Sequence, residues 1–417
     1  MRNLILKYKT QIKNFSSLSI LNFSNFIFSF ITFPYIVRVI GVEKFGLINF
    51  AAAFVAYFGL ITDYGFSWSA TQLISLNRNE KIELDKNYST VISIKVLLII
   101  LSTILLSIII FSIDFFRSDF QLYYLSFLFV IGVTLFPNWF FQGIEKMGYI
   151  ATITIIFRVL SVIAIFVFIT QPSDYLLLVG INGFTTLIIG LFAMVFIQWK
   201  FKIKFIIPNL KEVKVYLNYS WDYFITNIGI SFYTNTNTFI LGLFASNNIV
   251  GYWAAADKIR NAITMVYSTF NQTLFPYITK LLNDNIKEAL RKVKKIIRYG
   301  GVLTLVFSFI IFLFSEEICL LILGSSYQNS ILILQIICWL PFLIYLSNIF
   351  GIQLMLNLGF KRAFAKIIIV AAVYNLIFSF ILVPIYFAIG TAIAVTITEV
   401  FVTLATYVFL KKKSYLV

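Results

Sequence analysis

The chain is built from apolar runs of about 20 residues that follow one another from end to end, separated by short polar connections. An α-helix of about 20 residues spans the roughly 30 Å hydrocarbon core of a bilayer. Charged residues make up only 12% of the chain and hydrophobic residues 60%, whereas a soluble domain is about 25% charged. The sequence therefore predicts an all-α, polytopic membrane protein and excludes a soluble fold.

The apolar runs predict about twelve transmembrane helices in two sets of six. The first set is predicted at 15–40, 46–75, 88–112, 121–141, 149–170 and 175–199. The second set is predicted at 215–243, 248–280, 298–323, 330–356, 362–383 and 389–410. A polar, basic connection lies between the two sets. It predicts an N-terminal six-helix bundle at 1–207 and a C-terminal six-helix bundle at 208–417.

The basic residues are distributed unevenly among the connections. Most of the 33 lysines and arginines lie at the two termini and in every second connection, as in "RKVKKIIR" from Arg291. The turns in between hold only Lys44 and Arg117. Cytoplasmic connections of membrane proteins carry such an excess, so both termini are predicted to be cytoplasmic. The same bias explains most of the net charge of +16, and no nucleic-acid partner is expected.

Part of the first half recurs in the second half. Placing Gly46 of "VIGVEKFGLINFAAA" over Gly251 of "LFASNNIVGYWAAAD" aligns both segments. At nearly the same offset, "QGIEKMGY" from Gln142 matches "QLMLNLGF" from Gln353. Six helices in each half give both halves one orientation, so they are predicted to be parallel repeats about an axis along the membrane normal. A ligand is then expected in a central cavity between the halves.

A few charged residues fall inside the predicted spans. The cations are Arg38, Lys95, Arg158, Lys258 and Arg260, and the acids are Asp63, Asp222, Asp257 and Glu399. Arg38, Lys95 and Asp222 are predicted near helix ends, where a long side chain reaches the membrane surface at little cost. The sequence favours this structural role for these three.

The remaining charges of the predicted helices lie deeper: Asp63, Arg158, Asp257, Arg260 and Glu399. Each costs about 2.5–3.5 kcal/mol if it faces lipid, so these groups must pair with one another or face a watery cavity. Asp257 and Arg260 are three positions apart on one helix, which permits an internal ion pair. The sequence leaves both roles open for these residues.

Small polar residues form a face on the first helix of each half. On the first helix this face consists of Asn22, Asn25, Ser29 and Thr32, and on the seventh of Asn227, Ser231, Thr234 and Thr238. Such residues serve close helix packing in membranes or contact a ligand. Their occurrence on equivalent helices strengthens the prediction of a cavity, but it does not decide between these two roles.

No pattern in the sequence indicates catalysis. The chain has no histidine, no phosphate-binding glycine loop and no cluster with metal-ligand spacing, and its only cysteines are Cys319 and Cys338 in apolar surroundings. We therefore expect no catalytic residue, no metal and no cofactor. Energy for transport would come from a proton or other ion gradient, or from the substrate gradient. The short outer turns weigh against a membrane glycan polymerase, which is expected to need a large outer loop.

Three segments resemble the Wzx-type O-antigen flippases of the polysaccharide transporter family: "FPYIVRVIGVEKFGLINFA", "DYGFSWSATQLIS" and "VGYWAAADKIRNAITMVYSTFNQTLFPYIT". The resemblance extends over the whole chain. It departs at Gln72, where many relatives carry a basic residue. The family belongs to the MOP superfamily, so the resemblance implies a MATE-like pair of six-helix bundles that rock about a central cavity.

The resemblance also implies a function. Such a protein carries an undecaprenyl-pyrophosphate-linked oligosaccharide, an O-antigen or other polysaccharide repeat unit, from the cytoplasmic to the periplasmic leaflet of the bacterial inner membrane by alternating access. Its implied partners are this lipid-linked oligosaccharide, membrane lipids, a polysaccharide polymerase and a chain-length regulator. A multidrug-type small-molecule or cation antiporter and, less well supported, a membrane glycan polymerase remain as alternatives.

The implied function assigns roles to the residues singled out above. The cations expected to hold the pyrophosphate are Arg38, Lys95, Arg158, Lys258 and Arg260. The residues expected to contact the sugar are Asn22, Asn25, Ser29, Asn227, Ser231 and Thr234. Asp63, Asp257 and Glu399 are expected to be counter-ions or ion-coupling sites.

Overall fold

The computed structural model describes residues 9–234 and 236–415. Every regular element in these two ranges is helical. The prediction of an all-α fold is confirmed for this part of the chain.

The helices are numbered here in chain order. The first half contains α1 (Lys9–Asp63), α2 (Phe66–Leu76), α3 (Lys81–Ser112), α4 (Asp114–Arg117), α5 (Phe120–Leu135), α6 (Asn138–Gly143), α7 (Gly148–Phe168) and α8 (Tyr175–Phe201). The second half contains α9 (Leu210–Thr234), α10 (Thr236–Phe244), α11 (Asn247–Asp284), α12 (Ile286–Leu313), α13 (Ser315–Ile322), α14 (Ser330–Ile337), α15 (Leu340–Asn348) and α16 (Lys361–Lys412). Short 3-10 turns occupy Pro172–Asp174 and Ser325–Tyr327, and Ile349–Leu356 is a π-helix.

In two of these helices, one predicted span continues into the next through a sharp backbone break. α1 is broken at Gly41 (φ 76°), and α16 is broken at Phe387 (φ 47°), three residues after Pro384. Positive φ at a single residue redirects the chain without a loop. The predicted connections at these two places are therefore single-residue breaks.

Some predicted spans are interrupted where the sequence analysis expected a continuous helix. The second span, 46–75, breaks between α1 and α2 at Tyr64 (φ 46°) and Gly65 (φ 77°). A Cβ on residue 65 would lie 2.8 Å from the backbone nitrogen of Phe224, so glycine is required there. The fourth span, 121–141, breaks between α5 and α6 just before Asn138, where Pro137 has no N–H for an intrahelical bond.

Eight segments among the described residues are long and apolar enough to cross a membrane. Two of them, Ser19–Leu76 with 58 residues and Lys361–Lys412 with 52, each hold two predicted spans. The seventh and eighth predicted spans correspond to α9–α10 and α11, and α9 and α11 are more polar than the other long helices. The chain is a multi-pass membrane protein.

The chain divides into two compact units. The first unit holds the residues up to Ile40 together with Ala51–Ile228, and the second holds Gly41–Phe50 together with Gly229–Val417. The division predicted from the sequence lies between residues 207 and 208. The structure adds most of α9 to the first unit and assigns a ten-residue piece of α1 to the second.

Each unit has its own apolar core. In the first unit, Phe66, Tyr88, Trp139, Phe140 and Ile150 are among the buried residues that pack together. In the second unit, the corresponding cluster includes Ile278, Val293, Tyr345, Leu354 and Leu410. Of the aromatic residues in the first cluster, Phe66 follows the break that ends α1, and Trp139 and Phe140 follow the break that ends α5.

Candidate functional site

A lysine and an aspartate form an ion pair inside the first unit. Lys95 lies in the middle of α3 and is only 2% exposed, and its Nζ donates to Asp63 Oδ1 at 3.0 Å. Nζ also lies 3.4 Å from the carbonyl oxygen of Thr134, which accepts a second hydrogen bond. The expectation that Lys95 reaches the membrane surface from a helix end is wrong. Its ammonium instead has a half-buried carboxylate partner, which offsets the desolvation of the charge.

The local backbone explains why Asp63 and Lys95 meet. Asp63 is the last residue of α1, and its Oδ1 also accepts from Ser67 Oγ of α2 at 2.7 Å, across the break. The hydroxyls of Thr62 and Thr134 hydrogen-bond to each other at 2.8 Å, which ties the end of α1 to the end of α5. Carbonyl groups at a helix C-terminus carry partial negative charge. The ammonium therefore lies where two broken helices present a carboxylate and a carbonyl oxygen.

Arg158 of α7 has a different environment. It is half-buried, and among the described residues it has neither an acidic partner nor a hydrogen-bond acceptor. The lipid-facing side of α7 carries the exposed residues Ile156, Val159, Ile163 and Val167. Arg158 lies on the other side of this helix, with the buried residues Ala151 and Ile165. The guanidinium is thus a cation of a membrane helix that the described part of the first unit leaves without a counter-charge.

The first part of α1 runs parallel to α7. At one end, Asn14 Nδ2 donates to the carbonyl of Glu145 at 2.7 Å, and Asn14 Oδ1 accepts from the backbone N–H of Met147 at 3.2 Å. At the other end, Tyr35 Oη donates to the carbonyl of Ile169 at 2.6 Å. These contacts fix the relative height of every residue between them.

This register places Asn25 at the depth of Arg158. Asn25 lies about three helical turns beyond Asn14, and Arg158 lies about three turns beyond Met147. Three turns return a side chain to nearly the same side of a helix, so Asn25 shares the side of α1 on which Asn14 contacts the start of α7. The structure therefore brings one residue of the predicted polar face to the height of the unpaired arginine.

One turn after Arg158, Ser161 is 3% exposed and its Oγ has no hydrogen-bond partner among the described residues. It lies in the wall of a cavity of about 920 Å³ between α5, α7 and α8. Apart from a few polar groups, the wall is apolar, with Leu125, Phe157 and Phe184 among its side chains. Ser161 is not among the predicted site residues, because a serine on an apolar helix gives no signal of its burial.

In the second unit, Arg260 and Asp257 form an ion pair on α11. Arg260 Nε donates to Asp257 Oδ1 at 3.1 Å, and its Nη2 contacts the same oxygen. Asn261 Nδ2 donates to Asp257 Oδ2 at 2.9 Å. Of the two roles left open, the structure contains the internal pair. Lys258 next to it is exposed and lies 5.2 Å from the ring centroid of Phe45.

The other predicted site residues are distributed over both units. Asn22 and Asn227 are half-buried, Arg38, Ser29 and Asp222 are exposed, and Ser231 and Glu399 are buried. The side chain of Thr234 lies outside the described residues. Asn227 belongs to the first unit and Ser231 to the second, so the polar face of the seventh helix is divided between them.

The departure at Gln72 has a local structural explanation. Tyr219 Oη and Tyr223 Oη both donate to Gln72 Oε1, each at 2.9 Å. A lysine or arginine offers no acceptor at this position. The two tyrosines are four positions apart on α9, so both reach the same amide oxygen. This contact joins residues far apart in the chain, so the sequence gives no signal of it.

Comparisons with known proteins place the chain in a family. Residues 12–282 match the model of the polysaccharide biosynthesis protein family. The chain is 30% identical to a putative O-antigen transporter of Escherichia coli (strain K12) over 97% of its own length and 98% of the relative's.

Solved structures share the fold. A lipid II flippase MurJ in an inward closed conformation matches 95% of this chain and 88% of its own, with a TM-score of 0.71 and 15% identity. An inward-facing MATE transporter of the MOP superfamily matches 92% and 95%, with a TM-score of 0.68 and 14% identity. The resemblance and the MATE-like fold are thus confirmed. The chain belongs to the polysaccharide biosynthesis protein family and is a multi-pass membrane transporter of the Wzx type.

Proposed function

We propose that this transporter moves an undecaprenyl-pyrophosphate-linked oligosaccharide, an O-antigen or other polysaccharide repeat unit, across the bacterial inner membrane. Transfer runs from the cytoplasmic to the periplasmic leaflet by alternating access, with both termini cytoplasmic as the basic connections predict. Support for a glycan substrate comes from the relative named as an O-antigen transporter, which matches nearly the full length. A polymerase and a chain-length regulator would act on the delivered repeat units.

The structural observation that carries the proposal is the environment of Arg158. Lys95 and Arg260 are neutralised by Asp63 and Asp257, whereas Arg158 has no acidic partner among the described residues. An unpaired arginine in a membrane helix is costly, and such residues occur where they face a cavity or bind a ligand. A guanidinium presents a planar fork of donors that fits phosphate oxygens. An anionic pyrophosphate is the part of the substrate that needs this group.

Asn25 supports the same site. Its amide lies at the height of Arg158 and offers both donors and an acceptor to phosphate or sugar oxygens. The lipid chain of the substrate needs no polar contact and can remain in the bilayer. The first unit thus offers a cation and an amide for the polar part of the substrate.

The experiment that tests the proposal is a chromosomal deletion in the native host, complemented by plasmid-borne variants. Surface polysaccharide and the leaflet distribution of lipid-linked repeat units are measured. We expect the deletion to trap repeat units on the cytoplasmic leaflet and the wild type to restore export. Normal polymer in a host without a second flippase would overturn the proposal and favour the multidrug-type alternative. Repeat units that reach the periplasm without polymerising would instead point to the polymerase alternative.

The variant Arg158→Ala tests the site itself. It should lower export about 10- to 100-fold, since hydrogen bonds to charged groups contribute about 1.5–3 kcal/mol. Arg362→Ala removes an exposed arginine at the start of α16 and serves as the matched control. Wild-type export by Arg158→Ala at equal protein level would remove Arg158 from the site.

A further inference from the structure

The environment of the Lys95 ammonium has the composition of a cation-binding site. We propose that the first unit forms a site for a monovalent cation where the C-terminal ends of α1 and α5 meet. In the native chain the ammonium of Lys95 occupies this site. The native chain then binds no inorganic cation there. Removal of the lysine side chain exposes a site for a sodium-sized ion.

The donor set supports this assignment. The groups that face Nζ are the Asp63 carboxylate at 3.0 Å and the Thr134 carbonyl oxygen at 3.4 Å. The Ser67 hydroxyl donates to the same Asp63 oxygen at 2.7 Å, and the hydroxyls of Thr62 and Thr134 hydrogen-bond to each other at 2.8 Å. Each of these groups carries an oxygen that can coordinate a cation. Membrane transporters coordinate sodium with such groups at the ends of discontinuous helices.

Burial and charge point the same way. Lys95 is 2% exposed and Asp63 is 25% exposed, so the ammonium is enclosed and its charge is balanced by a half-buried carboxylate. Removing one partner of such an ion pair destabilises a protein, because the other charge is left uncompensated. A small cation held by the same oxygens restores the balance once the lysine is shortened. A side chain that fills the space without a charge does not.

The proposal concerns energy coupling and is independent of the glycan that the protein carries. If Lys95 fills the site, Asp63 serves as the counter-ion of a lysine and does not bind a coupling cation. Any coupling to an inorganic cation then involves other residues. Of the two roles that the sequence left open for Asp63, counter-ion and ion-coupling site, the proposal selects the counter-ion.

The test compares thermal unfolding of the purified full-length protein in sodium chloride and in choline chloride at equal ionic strength. Four proteins are compared: wild type, Lys95→Ala, Lys95→Met and the double variant Asp63→Asn/Lys95→Ala. Lys95→Ala opens the site, Lys95→Met removes the charge but fills the space, and the double variant also removes the carboxylate. We expect sodium to raise the Tm of Lys95→Ala by about 3 °C or more, saturably, and to leave the other three unchanged.

Two results would overturn the proposal. A folded Lys95→Ala that responds equally to sodium and choline has no cation site. A saturable, sodium-specific rise in the Tm of the wild type that is absent from the double variant would place an ion beside Lys95 and not instead of it.

If Lys95→Ala folds poorly, separate preparations in sodium chloride and in choline chloride still test the proposal. If folded Lys95→Ala is obtained only in sodium chloride, and the double variant folds in neither salt, the ion replaces the lysine and the proposal is supported. If Lys95→Ala folds in neither salt while Lys95→Met folds, sodium does not replace the ammonium and the proposal is rejected.

Discussion

Gly46 lies directly against the helix that carries Gly251. A Cβ on Gly46 would be 2.6 Å from the backbone nitrogen of Gly251, and a Cβ on Gly251 would meet the carbonyl of Val42. These are the two glycines that the internal duplication superimposes, and both lie in the second unit. Glycines permit such close approach of membrane helices. The repeated segments thus pack against each other through their matching residues.

Substitution of either glycine should separate these helices. Gly46→Ala places a methyl group on the backbone of α11, and overpacking of this kind destabilises a protein by about 1–3 kcal/mol. Gly59→Ala in the same helix is the matched control, because its Cβ would meet only Val130 Cγ1 at 3.7 Å. Unfolding in detergent should show a lower Tm for Gly46→Ala and no loss for Gly59→Ala. Equal Tm values for the two variants would contradict the close packing.

The sequence predicted the helices well because their signal is local. The length and polarity of each run decide whether a segment spans the membrane, and helices occur at all twelve predicted places. The breaks were harder to predict. Pro137 is a recognisable interruption, but the positive φ of Tyr64 has no such local signal, and its ring stacks on Phe224, which is distant in the chain.

The candidate site could be predicted only as a set of residues. The sequence identified Lys95, Asp63 and Arg158 as charges within spans, because a charge in an apolar run is conspicuous. It did not reveal that Lys95 pairs with Asp63 while Arg158 has no acidic partner, because pairing depends on the contacts of α1, α3 and α5. Sequence position alone placed Lys95 near a helix end, and the structure places it in a closed interior.

The ion pair between Lys95 and Asp63 should make single and double substitutions differ. Asp63→Asn leaves a buried ammonium without its counter-charge and should lower the free energy of unfolding by about 3–5 kcal/mol. Asp63→Asn/Lys95→Met removes both charges and should recover most of that loss. Denaturant unfolding in detergent measures both values. A double variant as unstable as the single one would show that the ion pair does not account for the loss.

The N-terminus of α9 predicts a pH dependence of stability outside the membrane spans. The backbone N–H of Asn209 donates to Glu212 Oε2 at 3.0 Å, and the Lys86 ammonium lies 3.1 Å from Oε1. These contacts, with the Asn209 hydrogen bond first, hold the pKa of Glu212 below its ordinary value of 4.5.

A carboxyl group with a depressed pKa stabilises the folded state above its unfolded-state pKa, and this contribution is lost as the pH falls through the folded-state value. Glu212→Gln should therefore lower the Tm at pH 7 and reduce the fall in Tm of the wild type below about pH 4.5. Tm measured between pH 7 and pH 3 tests this. Parallel curves for the two proteins would show that Glu212 contributes nothing to the acid sensitivity.

Arg158 should respond to conservative substitution in a way that a merely structural cation does not. Arg158→Lys keeps the charge but loses the planar fork, so it should export less glycan than the wild type and more than Arg158→Ala. Asn25→Ala, at the same depth, should lower export while lowering the free energy of unfolding by no more than about 1 kcal/mol. Arg362→Lys, on an exposed residue, controls for the substitution itself. Full export by Arg158→Lys would mean that charge alone suffices and would argue against a forked contact with phosphate.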